Sequence, residues 1–130
     1  MILDTDFLID LMHNNESAAR RKQKLNEEIE TPSVSTATIF ELWAGIFMSR
    51  KSDEEKRKVT GALGGIRAVG LSQTIAERAG ELHGLLKKEG NDIGVIDTMI
   101  AATALTENEI LLTNNAKHFS RIKGLRIEGY

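Results

Sequence analysis

Met1-Ile2-Leu3-Asp4-Thr5-Asp6-Phe7-Leu8-Ile9 is the stretch that decides how this chain folds. Met1–Leu3 is a continuous apolar run too short for a helix, which fits a strand buried on both faces. The polar step Asp4-Thr5-Asp6 follows, and Phe7–Met12 then takes up helical spacing. A strand that passes through a short polar step into a helix is the repeating unit of an α/β fold. The alternation continues downstream. Glu16–Glu28 is rich in Ala, Arg, Lys and Glu, good helix formers that suit a solvated face. Glu30–Ser35 has strand-like spacing, with Pro32 restricting it to an edge or a strand start.

Ile39, Leu42, Trp43 and Ile46 form the apolar stripe of a further helix. Ser52 and Glu55 have the spacing of a capping box, and Gly64-Gly65 ends the helix they would open. Ile66–Leu71 predicts a third strand. Ser72 is placed to cap a helix with Ile75, Ala79, Leu82 and Leu86 inward, and Gly90 to stop it. Val95–Thr106 predicts a helix whose alanines allow close packing. Ile110–Thr113 predicts a strand, Ala116–Phe119 a short helix and Leu125–Ile127 a last edge strand. Strands separated by helical runs predict a mainly parallel sheet of about five strands, with sites beyond the carboxyl ends of those strands.

Bulk properties narrow the chemistry. A chain of 130 residues suits one domain spanning 1–130. It contains no cysteine, so disulfides and thiolate metal sites are excluded. A formal charge of −2 is not the strong basic excess of a dedicated nucleic-acid binder, although positive charge can be concentrated in one groove. The start of the chain has no basic region or long apolar run of a signal peptide, and the apolar stretch Met99–Leu105 is too short to span a membrane. The expectation is a cytoplasmic protein without membrane contact.

Five positions could carry chemistry. Asp4 sits at a strand's carboxyl end with Asp6 two residues on; Glu41 and Asp97 fall early in helices; Asn115 follows the Leu111-Leu112-Thr113 strand exit. Strand exits and helix starts share one edge of a parallel sheet, so Asp4, Glu41, Asp97 and Asn115 can converge there. Taken singly, each has an ordinary structural role. First-turn acids complement a helix dipole, Thr38 and Glu41 match a capping box, and Asp4 or Asn114-Asn115 suit turns. Taken together, convergent carboxylates raise one another's pKa unless a cation lies between them. Oxygen donors without cysteine or paired histidines suit Mg²⁺ or Mn²⁺ rather than Zn²⁺. Spacing alone leaves both readings open.

A family resemblance favours the second. Ile2-Leu3-Asp4-Thr5-Asp6-Phe7-Leu8-Ile9 resembles the opening of PIN domains, and Val34-Ser35 through Glu41-Leu42 and Gly45 resembles the second block of their VapC group. Ile93-Gly94-Val95-Ile96-Asp97-Thr98-Met99-Ile100-Ala101-Ala102 resembles the third and most specific block. Leu111-Leu112-Thr113-Asn114-Asn115, then His118-Phe119, Ile122 and Gly124–Ile127, resembles the closing segment. The blocks occur in family order over nearly the whole chain. The resemblance implies a three-layer α/β/α fold and a ribonuclease that cleaves single-stranded or loop RNA with one or two Mg²⁺ or Mn²⁺ ions. It implies that Asp4, Glu41 and Asp97 bind the metal and that Thr113 is a hydroxyl near it. It also implies a homodimer and a small VapB-like antitoxin whose C-terminal segment blocks the acidic groove. Asn115 departs from a frequent fourth acid, and Asp6 is the candidate to compensate.

Other features read more plainly. Asp92 is taken as a loop acid, and His13, His83 and His118 as structural, since they show no ligand spacing to one another. Phe40, Trp43 and Phe47 suit core or a dimer interface. Arg20–Lys24, Arg50-Lys51 and Lys56–Lys58 are either phosphate contacts or solvated helix faces. Two alternatives stand beside the nuclease. One is a catalytically inactive PIN-like module that binds RNA or protein. The other is a haloacid-dehalogenase-like phosphatase with Asp4 as nucleophile; against it, Glu128 is the one acid past Thr113, where that family needs a closing acidic pair.

Overall fold

The computed structural model describes residues 1–29 and 31–130. Five strands alternate with helices: β1 Ile2–Leu3, α1 Thr5–Met12, α2 Glu16–Glu27, β2 Ser33–Ser35, α3 Thr36–Met48, α4 Ser52–Leu63, β3 Arg67–Val69, α5 Gln73–Lys88, α6 Val95–Thr106, β4 Leu111–Leu112, α7 Ala116–Phe119 and β5 Ile127–Glu128. The sheet order is β3-β2-β1-β4-β5, and every pairing is parallel. Helices cover both faces, giving the three-layer α/β/α arrangement. Parallel strands need such crossovers, which is why each short apolar run is followed by a helix.

The two-residue period of a strand divides the core between the layers. Ile2 and Leu111 pack on one face with Ile75, Ala79, Leu86, Ile100 and Phe119. Their neighbours Leu3 and Leu112 point to the other face, among Phe7, Leu8, Val34, Leu42 and Ile46. The register pairs Leu3 with Leu112 and Ile2 with Ser33, so β1 and β4 leave the sheet level with one another. All four residues, Ile2, Leu3, Leu111 and Leu112, are fully buried. The central strand therefore anchors both layers and carries Asp4 at its exit.

Local chemistry refines several boundaries. Pro32 marks a strand start and not an edge, since β2 lies between β1 and β3 and the Pro32 carbonyl accepts from Arg67 N at 3.3 Å. Glu30, taken as the start of that strand, lies outside the described residues. The last strand begins at Ile127, two residues later than expected, because Leu125 is held in a turn by its N–H to the Ile122 carbonyl. Ser52 does not cap α4. Lys51 occupies that position without a side-chain bond, while Ser49 Oγ accepts from Lys51 N. Nor do Thr38 and Glu41 form a capping box. Ser35 caps α3 through Ala37 N, which puts Glu41 in the second turn with its carboxylate free of the helix end. Ser72 and Gly90 bound α5 as expected, with Gly90 at φ 73°.

Phe40, Trp43 and Phe47 do not belong to the core: Phe40 and Phe47 are 66% and 80% exposed. The contrast generates a prediction. Leu3→Ala should cost about 2–5 kcal/mol in urea unfolding, whereas Phe47→Ala should change stability by no more than about 0.5 kcal/mol. Equal losses would contradict this division between core and surface.

Candidate active site

Asp4 is the best-fixed group at the sheet edge. Its N–H donates to the Leu112 carbonyl at 3.1 Å, which continues the β1–β4 ladder by one residue. Its carboxylate then works in two directions. Oδ1 caps α1 by accepting from Thr5 N at 2.8 Å, and Oδ2 accepts from Thr113 Oγ1 at 2.7 Å. Thr113 Oγ1 in turn accepts from Asn115 N at 2.9 Å, tying the β4 exit to the same point. Asp4 and Thr113 are both 2% exposed.

Such burial is costly for an anion. Desolvation is the main cause that pushes Asp4 up to about 7; the Thr113 hydrogen bond opposes it, and the charges of Asp6 and Asp97 add to it. Asp6 is also raised, first by burial and then by Asp97 and Asp10, with His118 opposing. Glu41 is raised by burial, opposed by the Thr5 hydroxyl, and raised further by Asp97 and Asp6. Asp4, Asp6, Glu41 and Asp97 therefore share one field, although they come from three separate places in the chain. Thr5 helps join them, since its Oγ1 also lies 3.2 Å from Thr38 Oγ1 and so ties α1 to α3.

Asp97 stands in the first turn of α6. Gly94 stands before that helix at φ 91°, a conformation L side chains rarely adopt, and makes no side-chain cap. Asp92 closes the preceding turn by accepting from Gly94 N at 2.8 Å, and it lies outside the acidic group. The helix dipole favours an anion at Asp97, which offsets part of the repulsion.

His118, read from the sequence as structural, is brought by the fold against Asp97, a contact the sequence reading did not foresee. Its Nδ1 lies 2.9 Å from Asp97 Oδ2 and 3.1 Å from Asn115 Nδ2. The available signal was the Asn115-x-x-His118 spacing, which one turn of α7 brings to the same side as the β4 exit. A search for histidine pairs overlooks a single imidazole of this kind. The two asparagines divide their duties. Asn114 latches the C-terminal residue, accepting from Tyr130 N at 2.9 Å and donating to its carbonyl at 3.2 Å, while Asn115 faces His118. Tyr130 donates to Asp10 Oδ2 at 2.7 Å and meets Phe7 edge-on. Asp6, Ile9, Asp10, Asn114, Asn115 and Tyr130 line a groove of about 440 Å³ beside the acids.

The donors at this edge are carboxylate oxygens with one imidazole, the chemistry that a divalent cation takes. Among the described residues no three Asp, Glu or His side chains stand close enough together to hold an ion as they are. A larger hollow of about 560 Å³ beside Arg20, Arg21 and Lys24 contains none of the four acids. There Arg21 bridges Glu28 and Glu128, and Arg20 lies near Glu16. Lys58 is similarly set against Glu54 and Glu55.

Comparison with known proteins agrees with this geometry. A profile of the PIN domain matches residues 1–125. The chain belongs to the PIN-domain family. Within the PIN family, it is 33% identical over 128 residues to ribonuclease VapC1 of Haemophilus influenzae, covering 96% of this chain and 93% of the relative. It is 28% identical over 129 residues to the tRNA(fMet)-specific endonuclease VapC of Shigella flexneri, covering 99% and 96%. Its fold superimposes with a TM-score of 0.91, at 28% identity, on a chain in the crystal structure of Rickettsia felis VapBC2 bound to a promoter DNA fragment; the match covers 99% of this PIN domain and 97% of that chain. The phosphatase alternative is thereby set aside.

Burial of Asp4 yields a pH prediction. A carboxyl raised on folding carries no penalty below its unfolded pKa and bears it in full above its folded value. The window therefore runs from about 4 up to about 7, and the full penalty is of order 4 kcal/mol. Asp4→Asn should stabilise the metal-free protein most at about pH 8, and the gain should shrink toward zero by about pH 4. Melting curves of both proteins across this range check it; a gain independent of pH would contradict it.

Proposed function

We propose that this chain is a Mg²⁺- or Mn²⁺-dependent endoribonuclease, cleaving single-stranded or loop RNA at the pocket of Asp4, Glu41 and Asp97. The observation that carries the proposal is a buried carboxylate, Asp4, fixed by two hydrogen bonds in the field of three further acids. Such an arrangement costs stability in the free protein and repays it when a cation is bound. Close likeness over nearly full length to VapC ribonucleases supports the same reading.

Each residue has a definite task. Asp4 is the fixed member of the group, held by Thr5 N on one oxygen and Thr113 Oγ1 on the other. Glu41 and Asp97 bring charge from opposite sides of the sheet edge, and Asp6 adds to it. Thr113 holds Asp4 and positions Asn115 through the latter's backbone N–H. Asp4, Glu41 and Asp97 would hold a divalent ion, which would supply Lewis-acid chemistry toward a scissile phosphate and a more acidic water. No side-chain nucleophile is required, and the products carry 5′-phosphate and 3′-hydroxyl ends. Arg50, Lys51, Lys56 and Arg57 are available for phosphates flanking the cut.

In the cell the chain acts as the toxin of a VapBC-type pair, restrained in the cytoplasm by a small VapB-like antitoxin. Phe40, Trp43, Phe47 and Met48 give α3 an exposed apolar face suited to pairing two copies or receiving that partner. Among the described residues no helix is long and apolar enough to cross a membrane.

Activity on a mixed RNA pool tests the proposal. Asp97→Asn should lower cleavage by at least about 100-fold while the protein remains folded, and excess EDTA should abolish wild-type cleavage. Full activity in EDTA would overturn the mechanism. RNA binding without cleavage at saturating Mn²⁺ would instead identify a non-catalytic PIN module.

A further inference from the structure

The four acids at the sheet edge set a problem for a polyanionic substrate. Asp4, Asp6, Glu41 and Asp97 share one field, and the whole chain carries a formal charge of −2. RNA is held mainly through its phosphates, so its affinity must come from basic groups collected elsewhere along its path. Two hollows offer such groups. Lys56 and Arg57 border one with Asp53 and Thr60, and it shares no residue with the groove beside the acids. Arg20, Arg21 and Lys24 border the larger hollow of about 560 Å³, which does share a residue with that groove, namely Tyr130.

Tyr130 is a fixed boundary between the two. Its hydroxyl donates to Asp10, its ring meets Phe7 edge-on, and its backbone is bonded to Asn114. Arg21 fixes the other wall. It is nearly buried and bridges Glu28 and Glu128 at 3.0 Å each, which ties α2 to β5. Three basic side chains face two acidic ones in this hollow, so a positive balance remains, and it falls on Arg20 and Lys24. Both are exposed, and their spacing of one helical turn puts them on one face of α2. Arg20 meets Ser17 Oγ at 3.2 Å and the exposed Glu16 at 3.6 Å, a loose surface pair that a phosphate can displace. Among the described residues Lys24 has no ion-pair partner.

We infer that the α2 hollow is an RNA subsite, in which Arg20 and Lys24 hold backbone phosphates of a strand that lies in the acid groove and passes Tyr130. The assignment rests on RNA being the substrate of the acidic group. A lining that is polar apart from Met1, Gly129 and Tyr130 suits phosphates better than the apolar side chains of a protein partner. Contacts to phosphate position the strand and add affinity without reading its sequence.

Fluorescence anisotropy of a labelled single-stranded RNA of mixed sequence, titrated with the full chain in EDTA from low salt upward, reads the subsite without turnover. Each phosphate contact on a single strand contributes about 0.7 to the slope of log affinity against log salt. Arg20→Gln/Lys24→Gln should therefore flatten that slope by about 1.4 and weaken binding alike for different sequences. Lys87→Gln/Lys88→Gln removes the same charge from exposed positions at the end of α5, outside both hollows, and should leave the slope as it is. A wild-type slope in Arg20→Gln/Lys24→Gln, or an equal loss in the two double variants, overturns the subsite. Unchanged RNA binding with lost affinity for an oligoglutamate peptide also overturns it and assigns the hollow to an acidic protein segment. Absence of RNA binding by the wild type overturns this inference and the nuclease reading together. Binding that depends on Arg20 and Lys24, without cleavage when Mn²⁺ is supplied, overturns the nuclease reading alone and leaves the subsite standing.

Discussion

The structure depends on a single buried carboxylate at the end of its central strand. Asp4 continues the β1–β4 ladder through its backbone, caps α1 with one oxygen and holds Thr113 with the other. Each of these contacts is an ordinary structural device, worth roughly 1–3 kcal/mol where the acceptor is charged. Together they fix a carboxyl group where water cannot solvate its charge. The fold thus keeps Asp4 in place by the same bonds that organise the sheet edge, and the remaining acids gather around it from α1, α3 and α6.

Topology explains why these acids meet. Parallel strands all leave the sheet at one edge, so residues after β1 and β4 and in the early turns of α3 and α6 are neighbours despite their distance in sequence. Level register between Leu3 and Leu112 puts Asp4 beside Thr113. Packing against the sheet fixes α3 and α6, and with them the backbone positions of Glu41 and Asp97. Charge is therefore gathered on a rigid frame at one edge of the sheet.

Much of this was legible in the residues. The apolar triplet before Asp4 and the apolar pair before Thr113 announced buried parallel strands, and the two-residue period placed their side chains on opposite faces. The positions of Asp4, Glu41 and Asp97 followed from chain order once the sheet was known to be parallel. Capping was less legible. Ser52 and Thr38 both matched a capping pattern, yet Lys51 and Ser35 took those positions, because the geometry of the preceding turn and strand decides where a helix begins. His118 was hidden for a different reason. Its partners Asp97 and Asn115 lie 21 and 3 residues away, and tertiary folding alone brings the first of them near. The aromatic residues of α3 had helical spacing indistinguishable from a core stripe; their exposure is set by what packs on the neighbouring face.

Proton release on metal binding tests the central claim most directly, because a buried Asp4 must ionise before it can bind a cation. Calorimetric titration of Mn²⁺ in buffers of differing ionisation enthalpy counts those protons. With Asp4 pushed up to about 7, release should be substantial, approaching one proton or more, at about pH 6 and should fall off by about pH 8.5. In Asp4→Asn the part of the release that belongs to this carboxyl should be absent. Mn²⁺ binding to the wild type with no proton release at either pH would contradict the account.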